Sequence, residues 1–157
     1  MSLAAEILER AKAKGVMIAT AESCTGGMVA AALTDIPGSS AVVERGFVTY
    51  TNIAKIEMLG VSPATLEAHG AVSEEVAREM AAGALAHAPV QLAVSITGIA
   101  GPGGSEFKPE GRVCFAVADG SGMQCETVEF GAMGRANVRK AARDHALTML
   151  KNRMDNG

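Results

Sequence analysis

The sequence predicts an α/β fold: a single three-layer α/β/α domain with a mixed, mostly parallel sheet that ends in a hairpin. Helical and strand patterns alternate along most of the 157 residues, and such alternation is typical of parallel strands connected by helices. The last two strand patterns flank the glycine-containing link Asp119–Gly122, which favours an antiparallel hairpin. The length suits one domain with one sizeable core, so residues 1–157 are predicted to form one unit.

The first third of the chain predicts one helix and two strands. Apolar residues recur at helical spacing over residues 2–14, and Gly15 follows as a stop signal. Residues 16–21 form a short apolar run, which predicts a buried strand. A turn over residues 36–40 leads to the β-branched and aromatic residues 42–50, which predict the second strand.

The middle of the chain predicts two helices and a third strand. Ser62, followed by a proline, opens a short helix that ends near Gly70. Ser73 caps a longer helix that has two glutamates in its first turn and Pro89 just past its end. Residues 90–96 then form an apolar run that predicts the third strand.

The last part of the chain predicts the hairpin and a closing helix. Residues 112–118 and 123–130 are the two hairpin strands. The helix begins near Gly134 and has one apolar face, on which His145 is predicted to be a packed, hydrogen-bonded residue. Three basic residues of this helix are predicted to face solvent: Arg139, Lys140 and Arg143.

Composition and charge exclude several classes of protein. The net charge is −3 and the basic residues are scattered, so no nucleic-acid partner is expected. No apolar run reaches membrane-spanning length and the first turns carry charges, so neither a membrane partner nor a secretory signal is expected. The three cysteines form no CxxC pair and the three histidines have no metal-ligand spacing. These counts predict a cytoplasmic protein with reduced thiols and without a metal site.

The segment AESCTGG, residues 21–27, lies between an apolar run and the alanine-rich residues 28–33, so it predicts a strand-to-helix turn. At such a turn the first amides of the helix point outward and can hold an anion. Ser23 offers a nucleophilic hydroxyl, and helix capping by Ser23 or Thr25 is the alternative interpretation. A reactive cysteine would require a neighbouring histidine, which the local sequence lacks, so Ser23 is favoured over Cys24. The predicted substrate-binding residues of this turn are Cys24, Thr25, Gly26 and Gly27.

The segment TGIAGPGG, residues 97–104, is the second candidate site. Four glycines in eight residues leave a run of main-chain amides that can hold a phosphate or an oxyanion. The loop matches neither GxxxxGK[ST] nor GxGxxG, so nucleoside triphosphates and dinucleotides are not implied. A flexible linker is the alternative interpretation. The predicted binding residues are Thr97, Gly98, Gly101, Gly103 and Gly104, with Arg135 as a further candidate for a phosphate.

The segment TYTNIAK, residues 49–55, follows the second strand and offers Tyr50, Asn52 and Lys55. A lysine in this position is ordinarily a solvated surface residue. If Lys55 is instead withdrawn from water, its neutral amine can take a proton from a serine hydroxyl. Ser23 and Lys55, assisted by Tyr50, would then form a Ser-Lys nucleophilic unit, with Asn52 contributing to substrate binding.

In chain order, the motifs AESCTGG, TYTNIAK, LGV, HGAVS, TGIAGPGG and GR-x-x-VR resemble the C-terminal domain family of the competence/damage-inducible protein CinA, and the likeness spans nearly the whole chain. The resemblance implies hydrolysis of nicotinamide mononucleotide to nicotinate mononucleotide and ammonia, without a cofactor, in pyridine nucleotide recycling. It also implies a homodimer or higher homo-oligomer and a serine-lysine mechanism that maps onto Ser23, Lys55 and Tyr50. Pyrophosphatase chemistry is not expected, because the larger N-terminal domain often fused to this family is not in the sequence.

Two rival interpretations remain open at the level of sequence. One is a nucleotide-sensing or partner-binding module that keeps the phosphate loop but performs no chemistry. The other keeps the fold and the catalytic pair but acts on another small amide. The pair Ser23 and Lys55 discriminates the first rival from an enzyme, because binding alone needs neither side chain.

Overall fold

The computed structural model describes residues 1–105 and 107–156. The strands are β1 (Ile18–Glu22), β2 (Val43–Val48), β3 (Leu92–Gly98), β4 (Arg112–Asp119) and β5 (Gly122–Glu129). The helices are α1 (Leu3–Lys14), α2 (Met28–Thr34), α3 (Asn52–Leu59), α4 (Pro63–His69), α5 (Glu74–His87) and α6 (Arg135–Asn156), with a single 3-10 turn at Ser39–Ala41 among the residues so described.

The five strands form one sheet in the order β2-β1-β3-β4-β5. β1 pairs in parallel with both β2 and β3. β3 and β4 pair antiparallel, and so do β4 and β5, which are joined through Gly120 and Ser121. The predicted three-layer fold, with a mixed sheet that ends in a hairpin, is therefore confirmed.

The two faces of the sheet carry side chains of different size. Toward α1, α2 and α6 the inner strands present large residues such as Ile96 and Phe115. Toward α5, on which α3 and α4 pack, they present small residues such as Ala93 and Ala116. The small residues leave room for α5 to lie close to the sheet. His145 of α6 packs against Phe115 with ring centroids 4.5 Å apart, and its Nε2 lies 2.5 Å from Glu126, as predicted.

The helix ends use the signals that the sequence offers. Ser2 accepts a hydrogen bond from the amide of Ala5 at the start of α1, and Gly15 ends that helix in the left-handed conformation at φ 66°. Ser73 caps α5 in the same way as Ser2 caps α1.

One helix near the site was absent from the sequence prediction. Residues 52–59 form α3, whose first turn is capped by the Thr51 hydroxyl and which ends at Gly60. Lys55 lies on the first turn of this helix. Its amine reaches back toward the end of β2, where it donates to the carbonyl oxygen of Thr49.

Candidate active site

Ser23 and Lys55 meet at the carboxyl ends of the parallel strands. Ser23 directly follows β1, and Lys55 lies on the helix that follows the adjacent strand β2. Nζ of Lys55 donates hydrogen bonds to Oγ of Ser23 at 3.1 Å and to the carbonyl oxygen of Thr49 at 3.0 Å. Lys55 is 1% exposed and Ser23 is 8% exposed. The lysine is therefore not the solvated surface residue of the alternative interpretation.

A cavity of about 310 Å³ opens above this pair and brings the three predicted segments together. Its lining combines hydroxyl, amine and guanidinium groups with the main chain of the glycine-rich loop. The predicted site residues found in the lining are Ser23, Cys24, Tyr50, Asn52, Lys55, Thr97, Gly98, Gly101, Gly103, Gly104 and Arg135.

Arg135 connects the glycine-rich loop to Tyr50. It is the first residue of α6, and its guanidinium donates to the carbonyl oxygen of Gly101 and to the hydroxyl of Tyr50, both at 2.7 Å. Tyr50 is 57% exposed, so its ring borders the cavity from the solvent side. The arginine therefore holds the rim of the cavity and adds a positive charge to it.

The first turn of α2 does not offer free amides, contrary to the expectation from sequence. The carboxylate of Glu22, which is 1% exposed, accepts hydrogen bonds from the hydroxyl of Thr25 and from the amide of Gly27. It also accepts from the amides of Val29 and Ala30. An internal anion thus occupies the position where an external one would bind.

The cavity lining does not include Thr25, Gly26 or Gly27. The amide of Gly26 donates to the carbonyl oxygen of Ser23, which leaves it engaged as well. Among the described residues of this turn, the amides of Cys24 and Thr25 make no main-chain hydrogen bond.

Arg139 of α6 contacts carbonyl groups of the same turn. Its Nε donates to the carbonyl oxygen of Cys24 at 3.0 Å, and its Nη2 donates to that of Thr25 at 3.3 Å. The prediction that Arg139 faces solvent is wrong, because the carbonyl groups of the turn offer it partners. A sequence signal existed, since Arg139 lies one helical turn after Arg135 and therefore on the same face of α6.

The glycine-rich loop is shaped by internal contacts as well. The amide of Gly103 donates to the carboxylate of Glu110, a residue that sequence reasoning did not single out. Gly101 has a φ of +92°, a conformation that residues with a side chain rarely adopt, so this position favours glycine. The hydroxyl of Thr97 donates to the carbonyl oxygen of Ala71. The loop is therefore held in place by its neighbours and is not a free linker.

Cys24 lies in the lining but its thiol is unsuited to nucleophilic attack. Burial, the largest cause, raises the pKa of the Cys24 thiol to about 12. Because the thiolate is the reactive form, the protonated thiol of Cys24 behaves as a small packing group. The choice of Ser23 over Cys24 agrees with this environment.

Residues 1–105 and 107–156 contain neither a candidate metal cluster nor a membrane-spanning helix. No group of three or more His, Cys, Asp or Glu residues there is arranged to hold a metal ion. In the same ranges, no helix combines the length and the apolar character needed to cross a membrane.

The comparison with protein families matches residues 1–154 to the CinA C-terminal domain. The chain belongs to the CinA C-terminal domain family. Other members of the CinA C-terminal domain family differ in total length. The chain is 60% identical over 119 residues to a CinA-like protein of Chloroherpeton thalassium, which covers 75% of this chain but only 28% of that relative.

A relative of similar length is the nicotinamide-nucleotide amidohydrolase PncC of Escherichia coli K12. It is 53% identical over 151 residues, which are 96% of this chain and 92% of that relative. Among solved CinA structures, the competence/damage inducible protein CihA from Agrobacterium tumefaciens superposes with a TM-score of 0.92 at 51% identity. That superposition covers 94% of this chain and 91% of the other.

Proposed function

We propose that the protein hydrolyses the carboxamide of nicotinamide mononucleotide to nicotinate mononucleotide and ammonia, with Ser23 as nucleophile and Lys55 as base. The observation that carries the proposal is the hydrogen bond of 3.1 Å between Nζ of Lys55 and Oγ of Ser23 at the base of the cavity. The similarity to PncC over nearly the whole chain supports the choice of substrate.

The environment of Lys55 supports its role as a base. Removing an ammonium group from water disfavours its charged form, and the side chain of Lys55 is almost completely buried. A neutral amine at this position accepts the hydroxyl proton of Ser23 as Oγ attacks the carboxamide carbon. The carbonyl oxygen of Thr49 orients the amine toward Ser23.

The reaction then proceeds in two balanced halves. In the first, the tetrahedral intermediate collapses, the carbon–nitrogen bond breaks, and the proton held by Lys55 passes to the departing nitrogen to form ammonia. In the second, water attacks the ester on Ser23, gives one proton to Lys55, and releases nicotinate mononucleotide as its carboxylic acid, whose remaining proton passes in solution to ammonia to give carboxylate and ammonium. The proton held by Lys55 returns to Oγ of Ser23, so the net change is consumption of one water and release of one ammonia.

Main-chain amides stabilise the oxyanion of each intermediate. The amides of Cys24 and Thr25 directly follow the nucleophile and lack a main-chain partner among the described residues. We assign them to the oxyanion. A donor in such a position contributes roughly 3 kcal/mol to lowering the barrier.

The remaining lining suits the rest of the nucleotide. The exposed ring of Tyr50 can face the cationic pyridinium ring. Arg135 and the loop Gly101–Gly104 are assigned to the phosphate, where the guanidinium supplies charge and the loop supplies amides. Asn52 and Thr97 complete the lining on the side of α3 and β3. We assign no part in substrate contact to Thr25, Gly26 and Gly27 beyond the amide of Thr25.

We further propose that the protein acts in the cytoplasm as a homodimer or higher homo-oligomer. Its cysteines are free thiols, which suits a reducing compartment. Exposed apolar side chains at Val48, Ile53 and Met133 are available for a subunit interface. Light scattering coupled to size-exclusion chromatography measures the assembly directly.

The proposed activity is tested by measuring the ratio of ammonia to carboxylate product. Purified protein is incubated with nicotinamide mononucleotide, nicotinamide riboside and free nicotinamide, and both ammonia and the carboxylate product are measured. We expect ammonia and nicotinate mononucleotide in a ratio of one to one from the mononucleotide. Binding of the mononucleotide without ammonia would instead support a nucleotide-sensing module, and turnover of a different amide alone would reassign the substrate.

A further inference from the structure

We propose that Glu22 is a positioning residue: its buried carboxylate fixes the turn after Ser23 so that the amides of Cys24 and Thr25 are aimed at the developing oxyanion. The inference rests on the proposed function, since it concerns the oxyanion of that reaction. Glu22 makes no contact with substrate in this account.

Four hydrogen-bond donors hold the carboxylate of Glu22 in place. It is the last residue of β1 and directly precedes Ser23. Its two carboxylate oxygens accept one hydroxyl bond of 2.6 Å from Thr25 and three amide bonds of 2.9 to 3.2 Å. Hydrogen bonds to an ionised acceptor are stronger than neutral ones, and a buried carboxylate without such donors would be costly.

These bonds span the turn and divide its amides into two groups. The amides of Gly27, Val29 and Ala30 are occupied by Glu22. Those of Cys24 and Thr25 make no main-chain hydrogen bond among the described residues. Glu22 holds the hydroxyl of Thr25, while the carbonyl oxygen of Thr25 accepts hydrogen bonds from the amide of Met28 and from Arg139.

A second carboxylate in the chain makes the same type of contact away from the cavity. Glu79 of α5 accepts a hydrogen bond from the amide of Ser62 at 2.7 Å and from the hydroxyl of Thr65 at 2.5 Å, at the start of α4. None of these three residues lines the cavity. Glu79 and Thr65 therefore provide matched controls for Glu22 and Thr25.

The test measures kcat, KM and thermal unfolding for Glu22→Gln and Thr25→Val beside Glu79→Gln and Thr65→Val. We expect the first pair to lower kcat by about tenfold or more, because small displacements of catalytic groups are costly, with KM changed by less than about twofold. The control pair is expected to keep kcat while lowering the unfolding temperature by less, because Glu79 and Thr65 are only half-buried. Thr25→Ser, which retains the hydroxyl, is expected to restore kcat.

The outcomes separate this inference from the proposed function. If Glu22→Gln does not fold, Thr25→Val still decides the question, because it removes a single hydrogen bond from a nearly isosteric side chain. A folded Thr25→Val protein with wild-type kcat would overturn the role of Glu22. Equal losses of kcat in both pairs would also overturn the role of Glu22, because the loss would then follow from lower stability of the fold. If the wild-type protein releases no ammonia, it is the proposed function that fails.

Discussion

Nζ of Lys55 and Oγ of Ser23 lie 3.1 Å apart although 32 residues separate them in sequence. The parallel pairing of β1 and β2 explains this approach, because it brings the carboxyl ends of both strands to one edge of the sheet. Ser23 follows the first strand, and α3 follows the second after a short connection. A lysine on the first turn of α3 is then directed to the serine.

Replacing Lys55 by methionine is expected to reduce kcat by about 10³-fold, because the nucleophile loses its base. Methionine preserves most of the buried stem, so we expect a folded protein that still binds the nucleotide. Ammonia release and calorimetric nucleotide binding measure the two effects. Lys12→Met, at an exposed position of α1, is the control and is expected to keep wild-type kcat. A Lys55→Met protein with undiminished kcat would exclude Lys55 as the base.

The thiol of Cys24 is expected to resist alkylation in the folded protein. Burial raises its pKa to about 12, so almost no thiolate is present at about pH 8. After treatment with iodoacetamide, peptide mass spectrometry is expected to find Cys24 unmodified and the activity preserved. The same treatment in concentrated urea is expected to modify it. Loss of activity in step with modification of Cys24 would argue for a cysteine nucleophile.

The contact between α3 and α5 is expected to be sensitive to a single methyl group. A Cβ at Gly83 would overlap the main-chain carbonyl of Leu59, so Gly83→Ala must push the two helices apart. We expect a loss of about 2 to 3 kcal/mol in the free energy of unfolding, measured by urea denaturation. Gly120→Ala, where the added methyl has no neighbour within 4 Å, is the control. Equal stability of the two variants would contradict the close packing described above.

The ion pair between Asp119 and Arg153 is expected to make stability depend on acidity. The guanidinium of Arg153, the largest cause, holds the pKa of Asp119 well below its usual range, and Ser121 adds two hydrogen bonds. Because the pKa of Asp119 is lower in the folded protein than in the unfolded one, its carboxylate stabilises the fold at pH values above the unfolded-state pKa of about 3.9. This contribution is lost as the pH falls toward the folded-state pKa.

Asp119→Asn is therefore expected to cost roughly 1 kcal/mol near neutral pH and progressively less in acid. Urea denaturation of both proteins at about pH 7 and about pH 3 measures the difference. A gap between the two proteins that stays constant or widens in acid would show that the ion pair does not carry the effect.

Most of the fold followed from periodicity and from end signals such as Ser73 and Gly15. The missing element, α3, has a physical reason. Only Lys55 and Leu59 of its eight residues are fully withdrawn from solvent, so it lacks an apolar stripe at helical spacing. Because the buried position 55 carries a lysine, the apolar periodicity that identifies other helices is interrupted.

The candidate site was predictable where its chemistry lies in short motifs. Polar side chains and clustered glycines are unusual at strand ends. They marked Ser23, Tyr50, Lys55 and the glycine-rich loop. The contacts of Arg139 depend on the packing of α6 against a turn 114 to 115 residues away, which local sequence does not encode. The contacts of Glu22 and Glu110 are local, but they depend on the conformation of a turn and a loop that no side-chain periodicity marks. Glu22 offered one signal in retrospect, since it is a charged residue at the end of a strand that is buried throughout.

The most direct measurement compares ammonia release from nicotinamide mononucleotide by the wild-type protein and by Ser23→Ala under saturating substrate. The proposed mechanism predicts one ammonia per nicotinate mononucleotide for the wild type. It also predicts no detectable release for the variant, which should still fold and bind the nucleotide. Wild-type release by a folded Ser23→Ala protein would contradict it.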